Sequence, residues 1–309
     1  MAKVTITTVE YKNFGKCIQL SNGNVKLLAT IDLGPRIINY SFVDGENIMF
    51  EDVNRDFTAS GPEFEKFGGG TWYIYGGHRL WTSPEGMPKS YYPDNTPVPY
   101  EIIENGVRLM PEPQKWNQYA FEIEVTMEPD TGAVNLVHKI TNTAAWPVEL
   151  APWTMSVLSP GGKEFVPQPT KETGLLGNRL LALWPYTKLT DARVHWGDKF
   201  ISLTQNPDNY DKFKFGINSE HGYAMYFNHG DLFVKQFTPI EGGNYPDGGM
   251  SFETFTNNYF LEMESLGELT KIEPEQTVSH KERWCIYKEE CPKTEDEDVL
   301  EALAAKYIR

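Results

Sequence analysis

Short apolar runs with a period of two recur along most of the chain, punctuated by turn residues. Over residues 4–50 the segments VTITTVEY, KCIQLSNG, NVKLLATIDLG, RIINYSFVDG and ENIMF are separated by Asn-Gly, Gly-Pro and Asp-Gly steps, which predicts a β-meander. Residues 51–70 lose the pattern and end in Gly68-Gly69-Gly70, reading as a long surface loop. Between 98 and 140 the hairpins are clearer, turning at Asn105-Gly106 and at Asp130-Thr131-Gly132. Phe121, Ile123, Val125 and Met127 alternate there with Glu122, Glu124, Thr126 and Glu128, the pattern of a half-buried antiparallel strand. Its expected partner sets Val134, Leu136, His138 and Ile140 on one face, so His138 reads as a core histidine.

Further strands are predicted in VELAPWTMSVL, NRLLALWPYTKL, KFISLTQ, KFKFGI, GYAMYFNHGDLFVKQF and SFETFTNNYFLEMES. Only the tail carries helical signals: Thr294 as N-cap, acids in the first turn, then Val299, Leu300, Leu303 and Ile308. The expectation is an all-β protein with one domain over 1–290 and an acidic helical tail over 291–309. No fixed-period repeat supports a propeller or solenoid.

Chemistry concentrates first in Trp72–Gly86, WYIYGGHRLWTSPEG, where aromatic rings share a short stretch with His78, Arg79 and Glu85. Gly76-Gly77 permits a turn or a close backbone approach. Rings beside a forked cation and a carboxylate suit a sugar, which offers an apolar C–H face and a rim of hydroxyls. An aromatic core strand whose Arg79 forms a structural ion pair accounts for the same residues.

A second concentration is NNYFLEMESLG, where a period of two puts Phe260, Glu262 and Glu264 on one face and Tyr259, Leu261 and Met263 on the other. Carboxylates about 6.5–7 Å apart on one strand face raise each other's pKa once desolvated, and a raised carboxylate is a usable general base. A solvated outer face is the plainer expectation from spacing alone. Lys212 and Lys214 also share a face, suited to an acidic sugar or, more simply, to a solvated edge that discourages strand pairing.

Composition narrows the classes. The 309 residues carry a formal charge of −15, which disfavours nucleic acid and anionic membranes as partners and leaves a neutral or small one. Aromatics at 13% suit pleated sheets. Cys17, Cys285 and Cys291 form no C-x-x-C pair and read as free structural thiols, which together with the absence of a signal-like apolar run suggests a cytoplasmic location. His195, His221, His229 and His280 read as surface or structural, and no metal motif, P-loop or cofactor fingerprint is present.

The strings DLGPRIINY, GGHRLWTSPE, VELAPWTMSVLSPGG and YPDGGMSFETFTNNYFLEMESLGELTKIEPEQTVSHKERWCIY resemble the galactose mutarotase (aldose 1-epimerase) superfamily, in particular a mutarotase-like branch of it. The resemblance spans residues 4–288 and implies a β-supersandwich with a carbohydrate cleft on one sheet face. It implies Glu262 as catalytic base, Glu264 as the near alternative and Arg79 as a sugar ligand. The epimerases' mid-chain Asn-His-x-Tyr-Phe is replaced by Pro152-Trp153-Thr154-Met155-Ser156, which removes the usual acid and makes Trp153 a candidate stacking platform. His78 is then the candidate acid, with Trp81, Glu85 and Lys214 as further ligands. The expected function is carbohydrate binding with interconversion of anomers. A non-catalytic sugar-binding module stays open, as does a hydrolase or lyase using Glu85 or Asp247 as a second acid roughly 5–10 Å across the cleft.

Overall fold

The computed structural model describes residues 3–293 and 295–308. Two large sheets, antiparallel at every strand pairing, pack face to face. The first runs, edge to edge, through Thr5–Glu10, Lys16–Ser21, Val25–Thr30, Ile37–Phe42, Gly77–Ser83, Val148–Leu158, Leu261–Leu266, Phe252–Thr256, Phe213–Ile217 and Leu181–Leu183, with Thr270–Ile272 also pairing onto Val148–Leu158. The second runs through Val194–Trp196, Phe200–Thr204, Lys163–Pro167, Tyr223–Asn228, Asp231–Phe237, Thr277–Lys288, Val134–Asn142, Tyr119–Met127, Gly106–Leu109 and Tyr100–Ile103. The first four strands form the expected meander, whereas ENIMF contributes only a bridge from Met49 to Leu158.

One apolar core joins the inner faces, with Leu80, Leu261, Met263, Phe213 and Phe252 from the first sheet meeting Tyr226, Phe233 and Trp284 from the second. The alternation predicted for Phe121–Met127 holds, with Ile123, Val125 and Met127 buried opposite half-exposed Glu122 and Glu124.

The outer face of the first sheet is also covered, and here residues 51–70 depart from the expected surface loop. They form a short strand, Thr58–Ala59, and a 3-10 helix, Pro62–Phe67. Phe64 is buried, and Phe50, Phe57 and Phe67 join it in a second apolar layer over Trp72, Trp81, Trp153 and Phe260. Aromatic side chains explain the departure, because they bury too much apolar area to stay in water.

The tail helix, Glu297–Tyr307, lays Leu300, Ala304 and Tyr307 against Phe165, Phe200, Met225 and Phe227 of the second sheet. Its N-cap is Asp296, which accepts a hydrogen bond from the Asp298 N–H; the expected cap, Thr294, lies outside the described residues. Cys17, Cys285 and Cys291 are free thiols. Among the described residues no helix is long and apolar enough to cross a membrane.

Candidate functional site

Strand alternation builds the site on the outer face of the first sheet. Arg79 lies opposite Met155, Met155 opposite Glu264, and Glu264 opposite Glu253, across four neighbouring strands. One row along, Val157 faces Glu262, Glu262 faces Phe255, and Phe255 faces Lys214. Residues of like parity share a face, so these registers gather three carboxylates and two cations.

The diagonals between the rows form the ion pairs. Arg79 Nη2 donates to Glu262 Oε1 at 3.1 Å. Lys214 Nζ lies 2.8 Å from both Glu264 Oε2 and Glu253 Oε2. Trp153 Nε1 also donates to Glu264 Oε2, at 2.8 Å. Rings wall both cations: Arg79 sits 4.6 Å from the Trp81 ring and 5.6 Å from Trp72, and Lys214 sits 4.6 Å from Trp184 and 4.9 Å from Trp153. Tyr91 packs edge-on against Trp72 and Trp81 and donates its hydroxyl to Glu85 at 2.5 Å.

Burial sets the electrostatics. It pushes the Glu262 carboxyl above the usual range against the opposing charge of Arg79, and Glu264 adds to the rise. Glu253 is pushed up to about 8, again by burial, with Lys214 opposing. Burial alone would lower Lys214, but Glu264 and Glu253 outweigh it and hold the ammonium above its ordinary value. Hydrogen-bonding capacity is left over on both sides: Arg79 Nε and Nη1, Trp72 Nε1, Glu264 Oε1 and Glu253 Oε1 are buried without hydrogen-bond partners.

The structure thus brings together Glu262, Glu264, Arg79, Trp81, Trp153 and Lys214. Two of the plainer expectations are corrected, because neither the Glu262–Glu264 face nor Lys214 is solvated: Glu264 is 1% and Lys214 4% exposed. Of the lysine pair, only Lys212 is in water. Trp153 is itself buried between Trp81 and Lys214, so it holds an edge rather than offering a free ring. Glu85 stands exposed at the rim, and Asp247 lies in an exposed turn.

His78 is not brought to this face. Next to Arg79 on the same strand, it points inward, with Nε2 2.8 Å from His138 Nε2 and Nδ1 2.9 Å from Ser156 Oγ. Burial holds its imidazole well below the ordinary value, so it is neutral. Around it lies a buried polar cluster. Glu282 Oε1 takes Thr154 Oγ1 at 2.5 Å, Ser265 Oγ at 2.7 Å and Lys235 Nζ at 2.9 Å, and Oε2 takes Trp284 Nε1 at 2.8 Å. His280, predicted as surface or structural, is buried and bonds Ser265 Oγ at 2.6 Å, while His195, His221 and His229 are exposed.

His78, His138 and Glu282 have ligand atoms within 4.8 Å of one another, a spacing a metal could use. Protons account for the group without one. With Ser156 donating to His78 Nδ1, His78 Nε2–H donates to His138 Nε2, and His138 Nδ1–H donates to the His280 carbonyl at 3.2 Å. Lys235 already balances Glu282, and its ammonium would repel a cation there.

Sequence reasoning missed Glu253, Trp72 as a wall of the Arg79 site, Tyr91 and Trp184. Glu253 had a signal in SFETF, where it alternates with Phe252 and Thr254, but its place beside Glu264 depends on hairpin register. Gly76 and Gly77 did carry theirs: a Cβ at either would lie 2.1 Å from a carbonyl oxygen, of Phe50 and Ile37 respectively, so the close approach is real.

Neither a comparison with protein-family models nor one with curated proteins finds a match for this chain. Solved structures do match. A putative aldose 1-epimerase from Klebsiella pneumoniae is 13% identical with a TM-score of 0.59, over 97% of this chain and 87% of that one. A galactose mutarotase-like protein from Lactobacillus casei is 10% identical with a TM-score of 0.55, over 88% and 100%. A TPR-domain containing protein from Parabacteroides distasonis is 12% identical with a TM-score of 0.61, over 91% of this chain but only 49% of that one, so this chain spans about half its length. The chain has the galactose mutarotase-like fold.

Proposed function

We propose that the outer face of the first sheet binds a sugar and interconverts its anomers, with Glu262 as the base at the anomeric hydroxyl. The observation that carries this reading is Arg79. Its Nη2 holds Glu262 at 3.1 Å while Nε and Nη1 stay buried and unpaired among Trp72 and Trp81. Leaving such donors unmatched is costly, and sugar hydroxyls would match them beside rings suited to C–H faces. A raised Glu262 accepts a proton more readily than an ordinary carboxylate.

Opening the ring also requires an acid at the ring oxygen. With His78 turned inward, the acid is drawn from the Tyr91 phenol beside Trp72 and Trp81, the Tyr186 phenol edge-on to Phe255, or the Glu253 carboxyl, all of which hold their protons at neutral pH. The inward His78 equally favours a second reading, a binding module without turnover.

Exchange NMR on the anomeric protons of a panel of aldoses separates the two. Faster exchange that Glu262→Gln abolishes, with binding retained, is the expected result. Binding without faster exchange supports the module, and exchange that survives Glu262→Gln removes Glu262 as the base.

A further inference from the structure

On the carbohydrate reading of the same face, we propose that the ligand carries a protonated amine, making it an amino sugar. Three buried carboxylates, Glu253, Glu262 and Glu264, face two cations, Arg79 and Lys214. Lys214 is engaged by two carboxylates at once, whereas Arg79 meets Glu262 through Nη2 alone. The acids outnumber the cations, and Glu264 Oε1 and Glu253 Oε1 are buried without hydrogen-bond partners. An ammonium supplies the missing positive charge and three donors, and hydrogen bonds between charged groups are the stronger kind.

The walls point the same way. Trp72, Trp81, Trp153 and Trp184 each stand within 4.6–5.6 Å of a cationic group, so this surface already hosts positive charge against ring faces. A sugar phosphate or sugar acid would add to the carboxylate excess, and Lys214 is already paired with two carboxylates. The free Arg79 and Trp72 donors remain for hydroxyl oxygens. Without ligand, Glu253 balances the excess by keeping its proton, its carboxyl being pushed up to about 8, so binding an ammonium at pH 7 releases that proton.

The test is calorimetric titration of the intact protein at pH 7 with glucosamine, galactosamine and mannosamine, each beside its N-acetyl counterpart, its neutral parent hexose and its 6-phosphate. At least one free amine is expected to bind about tenfold tighter than its N-acetyl counterpart, the scale of replacing a neutral hydrogen bond by a charged one. Glu264→Gln should remove that advantage. Glu253→Gln, nearly isosteric, should abolish the proton release seen on comparing buffers of different ionisation heat, and it serves if Glu264→Gln does not fold. An N-acetyl, parent or phosphate form binding as tightly as the amine overturns the amine assignment alone. So does an amine preference that survives both variants. No binding by any of these sugars overturns the carbohydrate reading itself.

Discussion

His78 and Arg79 are consecutive residues that serve opposite faces of one sheet. Arg79 Nη2 reaches Glu262 at 3.1 Å on the outer face, and His78 Nε2 reaches His138 at 2.8 Å in the core between the sheets. One strand therefore ties a candidate ligand site to a buried polar cluster, and each side has consequences that can be measured.

On the outer face, Arg79 stabilises the ionised form of Glu262 against burial. Arg79→Met should move the acid limb of kcat/KM for anomer exchange to higher pH by about 1–3 units, the usual scale for losing a paired cation. A pH–rate profile checks this, and a limb that does not move would detach Glu262 from the base role.

In the core, Lys235 is the cation beside Glu282, and both are fully buried. Lys235→Met leaves that carboxylate uncompensated and should cost about 3–5 kcal/mol in urea unfolding. Adding Glu282→Gln should restore part of the loss, because the stranded charge is then gone.

The same cluster makes stability pH-dependent. Burial pushes His138 and His280 down to about 4 from an ordinary 6.5. Between those values the unfolded chain binds protons that the folded histidines refuse, so their contribution to stability is complete above about pH 6.5 and is lost as pH drops toward 4. Glu253 and Glu164, both pushed up to about 8 by burial, oppose it in the same window, because the folded chain keeps protons there that the unfolded chain releases. Each histidine contributes a slope of at most about 1.4 kcal/mol per pH unit in that window. Glu282, held well below its ordinary value by Lys235 and its histidine neighbours despite burial, extends the loss below about pH 4.5. The difference between wild-type and His280→Gln urea midpoints from pH 7 to 4 isolates the histidine contribution, with a slope difference of about one proton.

The tail helix is a structural cover. Leu300 is 1% exposed against Phe165, Phe200 and Phe227, so Leu300→Ala should cost about 2–5 kcal/mol. Because the helix lies on the second sheet, that variant should leave sugar affinity unchanged once it is assayed well below its lowered Tm. A loss of binding there would link the two faces.

Local periodicity determined a good deal on its own. The alternation in SFETFTNNYFLEMES put Glu262 and Glu264 on one face opposite Leu261 and Met263, and that of Val134–Ile140 put His138 in the core, because a strand's side chains change sides at every residue whatever lies around them. The same rule, applied to Gly77–Ser83, separates His78 from Arg79. What packs against each side was not legible. The aromatic layer on the outer face follows from residues 51–70 folding onto Trp72, Trp81, Trp153 and Phe260, the pairing of Lys214 with Glu253 and Glu264 from the register of three strands, and the histidine cluster from two sheets meeting. Those are contacts between segments far apart in the chain, 183 residues for Arg79 and Glu262, and only the packed structure brings such segments within hydrogen-bonding distance.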